Sequence, residues 1–577
     1  MRAKGSVCLL PFFLVQSLVA QAIDFSNLDT ASRKKGITTT PATLDGNTFS
    51  HDTGYDTLAH ACEAASSAGR LLVISKAWTN VSALNCAANT AFFGTGTIQL
   101  AAGAIMTTPV PAICGAQGFD VSRSGPGSVV FTTDPFNVGS NPRCFGAAGD
   151  GSHDDTLSIQ AAIDAATGPW NGATGYPATT FAVLPAGAYK TTAQLRVYKA
   201  GSPHPGSQCY ESFSLRGAGK ALSVIYYNGS NLTPAIRAIG AEMMFTDFSV
   251  VDRNATGWIS GIDYDGEELI GRSTESTIAN VVIDCHSHAG DGITIGRSSF
   301  QADSLSINHP EIRGCSSGRG VVSLNGNALS TVLDHPVIYR TWIGVMSGTS
   351  TNVSIFGGEF DNNDVNFMPG AGSVFLVEGV RSEGSKRTMY TGVGAYGQNF
   401  TLQSYVLASN NMNRPHTKTT TTAGASRIEL ATAGFTFGDY ILIAGAGRNG
   451  GDLHTKITAM STLTSVTINP AIATAVSEAQ VVLDETVNQN TLEENGGGPY
   501  VHIGNLFNPK SGATVSGSNG PQVFIGNSWR MNIANPFGYT AVSPTPAPGP
   551  GILFGNWYNA SPLSAMPNFG GKSAESK

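Results

Sequence analysis

Charged residues are scarce in this chain of 577 residues, at 13%, and Asp and Glu (40) outnumber Lys and Arg (33). The resulting net charge of −7 argues against a nucleic-acid partner, because such a partner requires a basic face that neutralises phosphates. Beyond the N-terminus no apolar run is long enough to cross a membrane, so no membrane contact is predicted. The composition does not exclude an acidic sugar, because a local cluster of Arg can lie on an acidic protein.

The first 22 residues read as a secretory signal peptide. A short positive start precedes an apolar core over 9–15, and AQA at 20–22 has the small-x-small form of a cleavage site. The apolar core is too short for a membrane anchor. The sequence therefore predicts a secreted chain, extracellular or periplasmic, that begins near Ile23.

Cysteine is also sparse and lacks the spacing of a metal site. The chain has 8 Cys and no Cys-x-x-Cys pair, so no zinc ligands are assigned. Removal of Cys8 with the signal peptide leaves 8 − 1 = 7, so at least one thiol stays unpaired. Cys285 and Cys315 would fall on neighbouring coils of a stacked fold, either as a disulfide or as buried thiols.

Residues 144–166, which read CFGAAGDGSHDDTLSIQAAIDAA, carry the strongest local signal. The glycines predict a tight turn, and Asp155 is placed to cap a helix by accepting backbone N–H groups. The helix would present an apolar stripe formed by Leu157, Ile159, Ala162, Ile163 and Ala166. A strand ended by a glycine turn follows over 182–189.

This segment resembles the opening of the pectate-lyase-like superfamily, which reads F-G-A-x-G-D-G-x-x-D-D-T-x-A-I-Q-x-A-I-D. The resemblance implies an all-β fold, a right-handed parallel β-helix whose open end is covered by an N-terminal capping helix. The superfamily includes lyases, hydrolases, epimerases and catalytically silent tailspike parts, so the fold alone does not select a reaction. Its calcium-dependent lyases imply Ca²⁺ as a candidate cofactor, and its tailspikes imply a homotrimer as one candidate oligomeric state.

Short apolar segments recur after residue 240, as expected for the successive coils of a solenoid. The markers Val250, Ile283, Ile312, Ile338, Phe360 and Val380 are separated by 33, 29, 26, 22 and 20 residues, a range typical of a solenoid. We therefore expect a signal peptide (1–22), an N-terminal β-rich module with its own pseudo-repeat (23–140), a parallel β-helix (141–416), a small inserted β-module (417–485), and C-terminal coils with a tail (486–577).

Charged residues cluster directly after these short apolar segments. Matching positions on successive coils form columns about 4.8 Å apart, so we expect a polysaccharide groove across the coils from Asp284 to Glu383. The candidate catalytic residues are Tyr339, Arg381, Glu359, Asp361, Glu383 and His286. The candidate substrate-binding residues are Arg313, Arg340, His288 and His335.

Two reactions are compatible with these residue types. A lyase acting on a uronate polymer would use Arg to neutralise the carboxylate and Tyr339, His286 or an Arg as the base. A hydrolase would use two of Glu359, Asp361 and Glu383, which stacking can bring to either carboxylate separation that hydrolases use. The prominence of Arg and His favours the lyase, and a non-catalytic carbohydrate-binding protein or tailspike-like adhesin is the alternative.

Overall fold

A computed structural model provides the three-dimensional structure. It describes residues 49–114, 118–121, 127–167, 181–197, 213–240, 242–265, 275–297, 302–324, 326, 328–385, 387–390, 399–409, 416–432, 435, 439–462, 464–483, 492–493, 500–507, 515–516, 522–525, 527–529, 551–554 and 557–558. The predicted signal peptide (1–22) and Cys209 lie outside the described residues. Neither α-helix in the described part of the chain has the length and apolar character needed to cross a membrane.

Three long parallel sheets, named A, B and C, form the main body, and each complete coil adds one strand to each in that order. This arrangement confirms the right-handed parallel β-helix. Sheet A contains Ala182–Leu184, Ser214–Gly217, Met244–Thr246, Ser276–Ala279, Leu305–Asn308, Thr331–Asp334, Asn352–Phe356, Val374–Glu378, Asn399–Gln403, Tyr500–Ile503, Gln522–Ile525 and Gly551–Phe554. Sheet B contains Asp150–Asp154, Gly187–Thr191, Ser223–Tyr227, Ser249–Asp252, Val282–Asp284, Glu311–Arg313, Val337–Tyr339, Glu359–Asp361, Arg381–Glu383, Val406–Ser409, Leu506–Phe507, Ser528–Trp529 and Trp557–Tyr558. Sheet C contains Leu195–Val197, Ile236–Ala238, Ser260–Tyr264, Asp291–Ile295, Arg319–Ser323, Ile343–Ser347, Val365–Met368, Arg387–Tyr390, Leu492–Glu493 and Val515–Ser516.

The register of sheet B follows the apolar markers with one exception. Val250, Ile283, Ile312, Ile338 and Phe360 are paired in sequence order, and all five are buried. The sixth position of this inward column is Ser382, so the choice of Val380 as a marker was wrong. Val380 is also buried, but it lies in the turn that precedes the strand.

The N-terminal region is a second, shorter stack of parallel strands. Helix α1 (Leu58–Ser67) packs against it, and disulfides join Cys62 to Cys86 and Cys114 to Cys144. Its three small sheets contain Phe49–His51, Leu71–Ile74 and Thr90–Phe92; Ala77–Val81 and Thr97–Leu100; and Leu84–Asn85, Ile105–Thr108 and Ser128–Phe131. Short 3₁₀ helices lie at Asp52–Gly54 and Pro142–Phe145.

Helix α2 (Thr156–Ala166) lies between the two stacks and contributes to both cores. Ile159 and Ile163 belong to the core of the main β-helix, whereas Ala165 belongs to the N-terminal core. Leu157 departs from the predicted stripe and is 62% exposed. The expected Asp155 cap was also wrong: its carboxylate accepts the N–H groups of the preceding glycine-rich turn, at 2.8 and 3.1 Å, and makes no capping bond to the helix.

A six-stranded antiparallel sheet interrupts the coils. It contains His416–Thr421, Arg427–Glu429, Tyr440–Ile443, Leu453–Met460, Ser465–Asn469 and Val476–Leu483, with a 3₁₀ turn at Arg448–Gly450. A buried ion pair joins it to sheet C, where Arg387 Nη2 lies 3.4 Å from Asp439 Oδ1.

In the coils before this insert, a third disulfide joins Cys285 to Cys315, with a Cα–Cα distance of 4.9 Å. Of the two alternatives for this pair, the structure therefore has the disulfide.

Candidate functional site

The outer face of sheet B carries two adjacent columns of polar side chains, because residues that flank each buried marker point away from the core. One column runs through Glu311, Val337, Glu359 and Arg381. The other runs through Asp284, Arg313, Tyr339, Asp361 and Glu383. We name the charged and tyrosine residues of these columns the acidic strip: Asp284, Glu311, Arg313, Tyr339, Glu359, Asp361, Arg381 and Glu383.

Arg313 organises the first half of the acidic strip. Its Nε donates to Asp284 Oδ2 at 2.9 Å, and its Nη1 donates to Glu311 Oε1 at 2.8 Å and to the Tyr339 hydroxyl at 3.2 Å. Burial alone would lower the pKa of Arg313, but the hydrogen bonds with Tyr339 and Asp284 raise it above its ordinary value. The guanidinium is therefore already paired with two carboxylates.

Asp361 is the central carboxyl of the second half. Arg381 forms ion pairs with Glu359, at 3.6 Å, and with Glu383, while Asp361 Oδ1 accepts the backbone N–H of Glu383 at 3.0 Å. Burial raises the pKa of Asp361, and the charges of Glu359 and Glu383 raise it further, against the lowering effect of that N–H and of Arg381. This arrangement keeps a proton on Asp361 at a higher pH than an ordinary aspartate would.

The other four predicted site residues lie at the rims of sheet B, and no described contact joins a side chain of theirs to a side chain of the acidic strip. His286 and Arg340 are exposed in turns toward sheet C, where their φ angles are 52° and 56°. His288 Nδ1 lies 3.1 Å from the carboxylate of Asp252, whose pKa burial raises. His335 lies at the opposite rim, in a turn between sheets A and B.

An open pocket of about 390 Å³ lies on the same face, nearer the N-terminus. Lys190 and Tyr226 line it and continue the column that later contains Asp284. Arg253 stacks over the Tyr226 ring at 5.0 Å, and Asn228 completes the polar lining. Within the described residues neither Lys190 nor Arg253 forms an ion pair, in contrast to the arginines of the acidic strip. We name this pocket the basic pocket.

Sequence reasoning missed a buried set of ion pairs on the outer face of sheet C. Arg319 binds Asp291 through two nitrogens, at 2.8 and 2.7 Å, and Arg297 Nε donates to Asp263 Oδ2 at 2.9 Å. A third pair joins Arg237 to Asp265 at 3.4 Å. Two sequence segments carried a signal for these ion pairs, GIDYD (261–265) and GDGITIGR (290–297). In both segments charged residues flank apolar residues or alternate with them. Because these carboxylates are at most 5% exposed, they are closed to a polymer.

Asp263 should make the stability of the protein depend on pH. Burial raises its pKa from 3.8 to about 6 despite the Arg297 charge, and its Oδ1 has no hydrogen-bond partner. The folded protein holds this proton more tightly than the unfolded chain does. The stabilisation is therefore complete below pH about 4 and is lost as the pH rises through about 6, on the order of 3 kcal/mol. Urea unfolding of D263N across this pH range should show a free energy of unfolding that lacks this pH-dependent loss. If D263N has the same pH dependence as the wild type, Asp263 is not its cause.

The acidic strip does not fit Ca²⁺, the cofactor that the resemblance implies. Ca²⁺ takes six to eight oxygen ligands. In the strip, the carboxylates of Asp284 and Glu311 bind Arg313, and those of Glu359 and Glu383 bind Arg381. These paired carboxylates therefore do not supply the ligand set of a Ca²⁺ site.

The solved structures to which this chain is similar are distant in sequence. No protein-family model matches the sequence, and no curated protein matches it. Similar solved structures include the A-module of mannuronan C-5 epimerase AlgE6 from Azotobacter vinelandii (15% identity, TM-score 0.39, 72% of this chain and 93% of that one) and the adhesin PfbA of Streptococcus pneumoniae (13%, 0.38, 73% and 92%). Another is the gp42 tailspike of Acinetobacter phage vb_AbaP_AS12 (11%, 0.38, 75% and 62%). At this level of likeness, function must be argued from the residues of this chain.

Proposed function

We propose that this protein is a secreted enzyme that hydrolyses a polysaccharide along the outer face of sheet B. The observation that carries the proposal is Asp361, a half-buried carboxyl with a raised pKa between the carboxylates of Glu359 and Glu383. Glycoside hydrolysis requires such a pairing, with one carboxyl protonating the leaving oxygen and another acting as nucleophile or base. Asp361 is the proton donor in this assignment.

The backbone offers Asp361 two partners at different separations. The backbone of Glu383 is about 4.8 Å away, one strand along the sheet, and that of Glu359 is about 6.6 Å away, two residues along the same strand. Carboxyl separations of about 5–5.5 Å accompany retention of anomeric configuration, and about 6.5–9.5 Å accompany inversion. The anomeric form of the first product, measured by NMR, would therefore show which of the two carboxyl separations the catalytic pair has.

The charge of the acidic strip favours hydrolysis over the lyase reaction that the sequence favoured. Five carboxylates face two guanidiniums, with Lys220 adding one cation at 3.3 Å from Glu311. Both guanidiniums are already paired with carboxylates, whereas a lyase needs free positive charge to neutralise a uronate. A polyuronate would also be repelled by the excess of negative charge.

Export is part of the proposal. The three disulfides support it, because disulfides persist in oxidising compartments and are rare in the cytosol. Edman sequencing of the protein recovered from the culture medium should give an N-terminus near Ile23.

A substrate screen tests the function. The secreted chain is incubated with neutral and uronate polysaccharides, and reducing ends are measured together with the ultraviolet absorbance of unsaturated uronates. Reducing ends without that absorbance support hydrolysis, whereas both signals together indicate the lyase reaction. Binding to a polymer with neither signal would overturn the enzyme assignment and favour the non-catalytic adhesin.

The basic pocket should act as a remote binding site for the same polymer. Tyr226 lies five strand steps from Asp361, about 24 Å along sheet B. Replacing Arg253 with Ala should raise KM for long chains roughly threefold to tenfold and leave kcat unchanged, since the lost contact is equal in ground and transition states. R196A, which removes an exposed arginine on sheet C, is the control. An equal effect on oligomers too short to reach the pocket would contradict this role.

A further inference from the structure

Two histidines occupy the same place in neighbouring turns between sheets A and B. His309 and His335 have φ angles of 48° and 47°, and their rings are stacked, with centroids 5.4 Å apart and planes at 8°. The backbone N–H of each donates to the strand of the next coil. In other coils this turn position is taken by Asp247, Asn280, Gly357, Gly379, Ser404 and Gly504.

The surroundings of these turns leave room for the rings. Pro310 and Pro336 follow the two histidines and restrict the backbone there. On the next coil, the turn position is Gly357, and a Cβ atom at that residue would lie 2.8 Å from the ring of His335. Glycine at this position therefore allows the His335 ring to occupy the space beside the turn.

A carboxylate completes the cluster. Asp334 Oδ1 lies 2.8 Å from His335 Nδ1, and one ligand atom from each of His309, Asp334 and His335 lies within 4.8 Å of the others. We propose that these three side chains bind a divalent transition-metal ion, with Zn²⁺ as the ion to test first. Imidazole nitrogen and carboxylate oxygen form the donor set that Zn²⁺, Ni²⁺ and Cu²⁺ accept.

Closing the site requires only a small movement of side chains. Bonds of about 2.0–2.1 Å place the ligand atoms of a tetrahedral ion roughly 3.4 Å apart, so a pair separated by up to 4.8 Å has to approach by at most about 1.4 Å. The side chains of His335 and Asp334 are 61% and 40% exposed, and His309 is also exposed, so the rings can turn without displacing the core. The three protein ligands leave at least one coordination position open.

The site lies at the rim of the acidic strip, since His309 precedes Glu311 by two residues. A bound ion joins two neighbouring coils and places positive charge beside the carboxylates of the strip. The metal site stands independently of the proposed hydrolysis, because its binding can be measured without any substrate.

Isothermal titration of the secreted chain, stripped with a chelator, against ZnCl₂ tests the site. One ion should bind per chain, and Zn²⁺ should raise the melting temperature. H309N and H335N, which introduce a residue that the turn already accepts at Asn280, should each lower the affinity at least tenfold. D334N should also lower it at least tenfold, because a neutral amide replaces a carboxylate ligand.

His60 supplies the matched control. His60 lies in the first turn of α1, and its Nδ1 is 2.7 Å from the carboxylate of Asp56 in an exposed pair. Among the described residues no second histidine joins this pair, so H60N should leave binding unchanged. Far-UV circular dichroism and the metal-free melting temperature show whether each variant is folded. The proposal is wrong if the wild-type chain binds no Zn²⁺, or if folded H309N and H335N bind it as tightly as the wild type does.

Discussion

Replacing Asp361 with Asn should lower kcat on a cleaved polysaccharide by about 10²- to 10⁴-fold, the loss that follows removal of a general acid. Asn keeps the size of the side chain, and its amide oxygen can still accept the N–H of Glu383, so the fold should be retained. A general acid works only when protonated, so wild-type activity should fall as the pH rises through the raised pKa of Asp361. The profile of kcat against pH should lose this decline in D361N.

The controls for this variant come from the same chain. D56N makes the same chemical change at an exposed aspartate of the N-terminal stack and should leave kcat unaltered. E359Q and E383Q each remove one candidate for the nucleophile or base. The variant that removes the true one should lower kcat by a factor similar to that of D361N. If D361N retains the activity of the wild type, the acidic strip is not the site of cleavage.

The polar columns of sheet B could be predicted because their register depends on burial alone. A strand that contributes one side chain to the core places both neighbours on the outer face, so five apolar markers were enough to bring Arg313, Tyr339 and Asp361 together. The sixth marker failed because the inward residue there is polar. Ser382 accepts a hydrogen bond from Asn366 at 2.8 Å, so the core replaces an apolar contact with a buried polar network at this coil.

Residues beyond the strand ends could not be placed by the same rule. The alternation of inward and outward side chains holds only within a strand. At His286 and Arg340 the backbone turns into the left-handed region, which directs both side chains to the rim. The ion pairs of sheet C could not be predicted in the same way because the turn from sheet B to sheet C varies in length. It joins Asp284 to Asp291 in one coil and Tyr339 to Ile343 in another.

The turn that follows Asp361 is held by a buried asparagine. Asn363 Oδ1 accepts the backbone N–H and the hydroxyl of Thr341, at 3.0 and 2.9 Å, and its Nδ2 donates to the Ile338 carbonyl at 3.0 Å. The same Nδ2 donates to Asn366 at 3.1 Å, and Asn363 is 1% exposed. One side chain therefore satisfies the backbone of the preceding coil while fixing the turn beside the proposed proton donor.

Replacing Asn363 with Ala should lower the free energy of unfolding by about 3–5 kcal/mol. The variant leaves the N–H of Thr341 and the carbonyl of Ile338 buried without this partner, and each unsatisfied group costs about 1–3 kcal/mol. N362G is the matched control: Asn362 is exposed with a φ of 56°, which glycine adopts readily, so this change should stay within about 1 kcal/mol. Denaturant unfolding of both variants measures the difference. A loss in N363A no larger than that in N362G would show that the asparagine does not stabilise the coil, and the placement of Asp361 would then depend on the sheet B ladder and on Glu383 alone.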